Sequence, residues 1–362
     1  MLKKILKLGR QKIWQAHRDY LRENHELKYL FWECTLNCNF KCKHCGSRAG
    51  ENIFTEVIST EEIKKALLDI AQHFDAKKIT IAITGGEPLL RKDLFEVMKY
   101  ANSLGFQWGM VSNGSLVTQE IVEKAKDAGM VTIDISIDGI RDVHDEFRNT
   151  KGAYEKAINA VGLFAKADFL NPLRITTTIH NKNIDTLDEM YESFSALGIS
   201  DWRILNVDPI GRAICNNDIL LNKKQFTRLL QFMKNKRAKK PKVKITFGCA
   251  HFLGDDFEDE VRNNFFYCGT GINIGSILHN GDIFVCPNVP RQSNLIQGNI
   301  KKDSFSDIWN NKFEFFRDEN RTACEKCQKC DYWNECLGGS FHSWDFEKKQ
   351  PKVCFLDKDL YL

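Results

Sequence analysis

Cysteine is the residue type through which this chain could do unusual chemistry. There are 13 cysteines in 362 residues, and most fall into two tight groups. The first group is Cys38-Asn39-Phe40-Lys41-Cys42-Lys43-His44-Cys45, a C-x3-C-x2-C run. Three thiolates this close in sequence can wrap one face of an iron–sulfur cube. Three ligands leave one of four irons open, and an open iron can accept N and O ligands from a substrate or cofactor. A zinc knuckle is the other chemistry this spacing allows. Cys34 is assigned to the preceding strand, not to the metal. The second group holds Cys268, Cys286, the run Cys324-x2-Cys327-x2-Cys330-x5-Cys336, and Cys354. It suits a metal-stapled domain, zinc among the metals such spacing can hold. A cytosolic thiol pool keeps such cysteines reduced, so soft-metal ligation is favoured over disulfides.

These residues must be positioned by regular elements. Six apolar, β-branched stretches recur: Tyr29–Thr35, Lys78–Thr84, Gln107–Ser112, Val131–Asp138, Leu173–Ile179 and Trp202–Val207. Helical patterns separate them. Ser59-Thr60-Glu61-Glu62 reads as a capping box before the stripe Ile63, Ala66, Leu67 and Ile70. Further helices are expected near 91–104, 118–128, 151–167 and 183–197. Strand–helix alternation implies parallel strands with right-handed crossovers. Six units give an α/β fold, a partial (β/α)6 TIM-like barrel, with functional residues in the loops after the strands. Four regions follow: an amphipathic helical extension over 1–28, a core over 29–212, a bridging linker over 213–266 with a helix near 222–236 and a solvated basic run, and a cysteine-rich iron–sulfur domain over 267–362. Asn280-Gly281 marks a hairpin there.

The Cys38-x3-Cys42-x2-Cys45 run resembles the signature of the radical S-adenosylmethionine (radical SAM) superfamily. The resemblance implies a [4Fe–4S] cluster on Cys38, Cys42 and Cys45 whose open iron chelates the methionine moiety of S-adenosylmethionine. One electron then yields a 5′-deoxyadenosyl radical that abstracts hydrogen. It also implies cofactor contacts in strand-end order: His44 near the adenine, Gly85-Gly86-Glu87 at the methionine amino group, and Ser112, Asn113, Ser136 and Asp138 at the ribose and carboxylate. His144-Asp145-Glu146-Phe147-Arg148 and Pro209-Ile210-Gly211-Arg212 resemble the family too. Arg148 and Arg212 are read as structural ion-pair residues.

The second cysteine group resembles the SPASM extension of radical SAM peptide-modifying enzymes. The resemblance places an outer auxiliary four-iron cluster on Cys327, Cys330, Cys336 and Cys354. It leaves the inner set short, because Ser340 stands where the pattern has cysteine. Cys268 and Cys286 remain, and Cys324 could substitute. Cys215 and Cys249 fit no cluster pattern and read as packing, with hydrogen return to a substrate radical as the alternative.

Composition excludes other classes. The formal net charge is +4, too mild for a nucleic-acid binder. No apolar run reaches the ~18 residues of a membrane span, and no secretory h-region follows the basic start, so a cytoplasmic, oxygen-sensitive enzyme is expected. The resemblance implies an oxidoreductase that installs a cross-link, thioether or epimerised centre in a ribosomally made peptide. An enzyme acting on a small molecule or cofactor precursor, such as a tetrapyrrole, is the alternative. A non-catalytic metal-binding or electron-transfer protein is the third. An external one-electron reductant of flavodoxin or ferredoxin type would be needed. About 30 residues precede Phe31, so a peptide's leader would be recognised by the N-terminal helix, the linker or a separate leader-binding protein.

Overall fold

Each of the six expected strands forms, and each is followed by a crossover. The computed structural model describes residues 2–51, 56–248 and 251–361. In chain order the elements are α1 Leu2–Asn24, β1 Tyr29–Thr35, α2 Thr60–His73, β2 Thr80–Gly85, α3 Leu94–Ser103, β3 Gln107–Ser112, α4 Gln119–Asp127, β4 Met130–Ser136, α5 Asp142–Arg148, α6 Ala153–Ala167, β5 Leu173–Ile179, α7 Leu187–Ser195, β6 Asp201–Asn206, α8 Lys223–Ala238, β7 Lys244–Phe247, α9 Glu258–Val261, β8 Ile274–Ile277, β9 Asp282–Phe284, β10 Gly298–Asn299 and α10 Phe305–Lys312, followed by short helical turns and a small hairpin. Strands β1 to β6 run parallel in sequence order, as a partial barrel requires.

The local reasons are visible in the sequence. Ser59 and Glu62 close the capping box of α2, and its stripe Ile63, Ala66, Leu67 and Ile70 is buried. Alternation fixes the strand faces. In β1, Leu30, Trp32 and Cys34 are buried in the large apolar core. Tyr29, Phe31, Glu33 and Thr35 point the other way, into the lumen. Burial pushes the Cys34 thiol far above its ordinary range, which suits packing and not ligation.

The sheet crosses the expected regional boundaries. Strand β7, from the bridging region, pairs in parallel with β6. Strand β8, from the cysteine-rich region, pairs in parallel with β1, and β9 and β10 extend it antiparallel. The physical reason is that an open barrel has two edges with unpaired backbone groups. The flanking chain covers both, giving a ten-stranded sheet. Half of the basic run is also not linker: Lys236 and Arg237 close α8, and Lys236 pairs with Asp188. Helix α1 docks on the cysteine-rich region, where Arg18 is buried and donates to the carbonyl of Asn334. The side chains of residues 2–7 and Cys249 lie outside what is described. Cys215 is exposed, so it is not a packing thiol.

Candidate active site

The loop after β1 brings Cys38, Cys42 and Cys45 to the wall of one cavity of about 180 Å³. Strand ends supply the rest of that wall: Gly85 and Gly86 after β2, Ser112 and Asn113 after β3, and Ser136 from β4. Every sequence-expected cofactor contact in this half of the molecule lines the cavity except Asp138. The two glycines also meet a packing demand. A Cβ on Gly85 would lie 2.1 Å from the Thr35 carbonyl oxygen, and one on Gly86 2.0 Å from that of Asn37. They let the β2 loop seat directly on the backbone entering the cysteine loop. Gly85 also needs its φ of 142°.

Glu87 braces this arrangement. Its carboxylate, 1% exposed, accepts from Ser112 Oγ at 2.8 Å, Asn113 N at 2.8 Å and Leu89 N at 3.2 Å. Burial raises its pKa in spite of these donors. Asp138 lies behind the wall. Arg148 Nε donates to it at 2.6 Å and the Thr178 N–H at 2.7 Å. Burial works against the charge, but Arg148 outweighs it and holds the Asp138 carboxyl down to about 2. The same guanidinium reaches Cys42 Sγ at 3.7 Å. Arg148 is therefore more than the structural ion-pair residue expected: it couples a buried carboxylate to a cavity thiol. Arg212, also on the cavity wall, ties the cysteine loop, donating to the carbonyls of Cys42 at 2.9 Å and Ala49 at 3.1 Å.

His44 also lines the cavity, stacked on Phe147 with centroids 4.3 Å apart; Phe147 stacks on His180 at 3.9 Å. Burial pushes His44 down to about 3. Its Nδ1 is buried with no partner among the described residues, an open position for a ligand atom.

These residues fit a three-thiolate cluster with its cofactor. Burial pushes Cys38 up to about 11 and raises Cys42, so thiolates form here when a metal group's positive charge replaces the protons. The Phe40 N–H donates to Cys38 Sγ at 3.4 Å, a contact that tunes a cluster sulfur.

A second cavity, about 210 Å³, lies in the C-terminal region. Cys327, Cys330, Cys336 and Cys354 all line it, with Tyr332, Trp333 and Leu356. The four positions named for an outer cluster thus meet, though 27 residues separate the first from the last. Burial pushes Cys336 up to about 12 and raises Cys327 and Cys354, which again fits metal-bound thiolates. Cys324 does not line this cavity; its thiol sits beside Cys327. The inner set fits a four-thiolate cluster poorly. Cys268 is buried against the core and takes the Phe341 N–H at 3.4 Å, and Ser340 is fully buried.

Comparison with known proteins identifies two family domains. The Radical SAM superfamily pattern matches residues 32–194, and the SPASM iron–sulfur cluster-binding domain matches 268–331. The AdoMet-dependent heme synthase of Oleidesulfovibrio alaskensis is 30% identical over 329 residues, covering 86% of this chain and 82% of that one. The mycofactocin maturase MftC of Mycolicibacterium smegmatis is 28% identical over 315 residues, covering 86% and 77%. The structure of anSMEcpe with bound AdoMet and a peptide superposes with a TM-score of 0.70 at 17% identity, covering 93% and 92%, and shares the fold.

The fold and the family matches are those of a radical enzyme with an accessory iron–sulfur domain. The chain belongs to the radical SAM superfamily and carries a SPASM domain. Its radical SAM domain takes a [4Fe–4S] cluster and S-adenosylmethionine, and its SPASM domain takes auxiliary iron–sulfur clusters. When bound, the first cluster supplies the electron that splits the cofactor into methionine and a 5′-deoxyadenosyl radical. Among the described residues, no helix is long and apolar enough to cross a membrane.

Proposed function

We propose that this enzyme modifies a side chain of a tetrapyrrole by radical chemistry, with Cys38, Cys42 and Cys45 holding the catalytic cluster. The remaining cavity residues, His44, Gly85, Gly86, Ser112, Asn113 and Ser136, hold the cofactor. Glu87, on the same wall, and Asp138, behind it, brace them. Cys327, Cys330, Cys336 and Cys354 hold an auxiliary cluster. The observation that carries the substrate is the 30% identity to a heme synthase over 82% of that relative's length. A peptide substrate, the expectation drawn from the SPASM resemblance, is the second reading, supported by the 28% identity to a mycofactocin maturase. An external flavodoxin- or ferredoxin-type protein supplies the electron in either case.

The test is anaerobic. Reconstituted protein, S-adenosylmethionine and dithionite are incubated with iron coproporphyrin III, a porphyrin bearing propionate side chains. Deoxyadenosine formation and porphyrin mass are followed together. A porphyrin mass change that tracks deoxyadenosine supports the reading. Deoxyadenosine without any porphyrin change, together with modification of a precursor peptide encoded beside the gene, favours the second.

A further inference from the structure

Helix α1 is docked with its polar side toward the protein. Arg18, 4% exposed, donates to the carbonyls of Asn334 and Glu335, and Arg22 pairs with Glu319. Gln11, Trp14, Gln15 and Leu21 are half-buried on the same side. A surface helix ordinarily does the opposite, burying its apolar stripe and turning its charges to water.

The apolar side of α1 faces out. Ile13 is 73% exposed, Leu8 51% and Tyr20 50%. Nine large apolar side chains stand exposed among the described residues, and this one helix holds three of them. Gly9, Ile13, Ala16 and Tyr20, all exposed, follow one another at spacings of four, three and four, so they line one face. In the sequence the same spacing runs back through Leu6 to Leu2. A continuous apolar stripe in water marks an interaction surface.

Charge says what covers it. Residues 1–18 hold six lysines and arginines and no acidic residue, while the rest of the chain holds 46 basic and 48 acidic residues. The net positive charge of the protein therefore resides in α1. Arg18 is committed to the docked side. Arg10 leans toward Asp259 at 3.8 Å, and Lys12 is exposed. A second copy of the helix would bring the same cations, with Asp19 and Glu23 alone to set against them. An anionic lipid surface suits both features at once: its headgroups meet the lysines, and its acyl boundary takes the apolar stripe. Tyr20, an apolar ring with a polar tip, matches that boundary.

We propose that α1 is an interfacial helix that seats this enzyme on an anionic lipid surface, with Ile13 and Tyr20 against the lipid and the lysines of its first half at the headgroups. The helix lies on the bilayer and does not span it, in keeping with its charge. The inference is independent of the substrate: it concerns where the radical reaction takes place, not what it acts on.

The test reads binding and catalysis side by side. The reconstituted full-length enzyme is sedimented anaerobically with vesicles of phosphatidylcholine, or of phosphatidylcholine mixed with phosphatidylglycerol, at low and high salt. Binding to the mixed vesicles that weakens with salt is expected, with none to phosphatidylcholine alone. Ile13→Asp should weaken binding about tenfold or more. Lys7→Gln and Lys12→Gln should weaken it about fivefold each. All three variants should form deoxyadenosine at the wild-type rate, which shows them folded. No binding to mixed vesicles overturns the proposal, as does equal binding to phosphatidylcholine alone. Binding that Ile13→Asp leaves unchanged overturns α1 as the contact. A concentration-dependent dimer in light scattering that Ile13→Asp dissolves, without vesicle binding, gives the stripe to a second copy and overturns the lipid assignment. None of these outcomes bears on the tetrapyrrole reading, which the porphyrin mass assay decides.

Discussion

The two cysteine pockets are of similar size and opposite construction. The N-terminal pocket gathers three thiols among polar groups: Arg148 and its buried carboxylate, a backbone N–H on Cys38, and serine and asparagine side chains from strand ends. The C-terminal pocket gathers four thiols among Tyr332, Trp333 and Leu356, with the charged pair Lys326 and Asp357 on its outer wall. A cluster with a vacant corner needs polar walls to hold the ligand that fills it. A fully ligated cluster needs only exclusion of water, because burial and hydrogen bonding to sulfur set its potential. On the proposed reading, the first pocket exchanges a ligand and the second stores electrons.

The sharpest test exchanges one thiol in each. Cys38→Ser should bring deoxyadenosine formation to background and remove about four irons per chain. Cys330→Ser should remove a similar number, keep deoxyadenosine formation within severalfold of wild type, and abolish substrate conversion. Chromatography of the quenched reaction and iron assay give both numbers. Loss of deoxyadenosine in a folded Cys330→Ser protein would erase the division of labour.

The pockets also differ in what their charges contribute. Arg148→Met strands Asp138 in a fully buried place, a change that costs about 3–5 kcal/mol for such pairs. At the rim of the C-terminal pocket, the Lys326–Asp357 pair meets solvent, with Lys326 62% exposed. Lys326→Ala should cost only about 0–1 kcal/mol. Urea denaturation of both variants under argon measures the contrast. Equal losses would mean that the Arg148–Asp138 pair is solvated in solution.

A smaller effect comes from pH. Burial depresses His144 and His180, beside the N-terminal pocket, to about 4 each. In the unfolded chain both return to about 6.5, so between these values the unfolded state binds more protons. Their contribution to stability is complete above about pH 6.5 and is lost as pH falls toward 4. Asp138, depressed, adds a further loss only below its unfolded value near 3.8. Thermal unfolding should therefore show a falling midpoint from pH 7 to pH 5. His180→Gln should flatten that slope. A slope unchanged by the substitution would place the titrating groups elsewhere.

Much of this was legible before any coordinates. Strand and helix order followed from apolar alternation and one capping box, because those signals are local. The cavity residues followed from a resemblance whose motifs all fall at strand ends. The edges of the barrel were not legible: β7 is four residues long, and nothing in Ile274–Ile277 states that it will pair with β1. Pairing partners are chosen by which edge remains open, a property of the assembled sheet. Arg148 was underestimated for a similar reason. Its two partners, Asp138 and Cys42, lie on different elements, and only folding shows that one guanidinium serves both. The buried cluster of Glu33, His279 and Arg291 was not legible either, because its members come from β1, a hairpin turn and a loop, with no spacing to link them.

Cys324 gives the finest test of the comparison, and the smallest expected effect. In sequence it opens the Cys324-x2-Cys327-x2-Cys330 run and is as good a ligand as its neighbours. In the structure it caps the turn Glu325–Gln328 from outside, beside Cys327 but off the wall shared by the four cavity thiols. Burial raises Cys327 first, and an ionised Cys324 beside it would raise it further by like-charge repulsion. Cys324→Ser should thus leave iron content and the auxiliary EPR signal unchanged while easing oxidation damage, because a thiol poised to form a disulfide with Cys327 is gone. A loss of about four irons on this substitution would make Cys324 a ligand, and the C-terminal pocket would then hold a different set of thiolates from the four that line it.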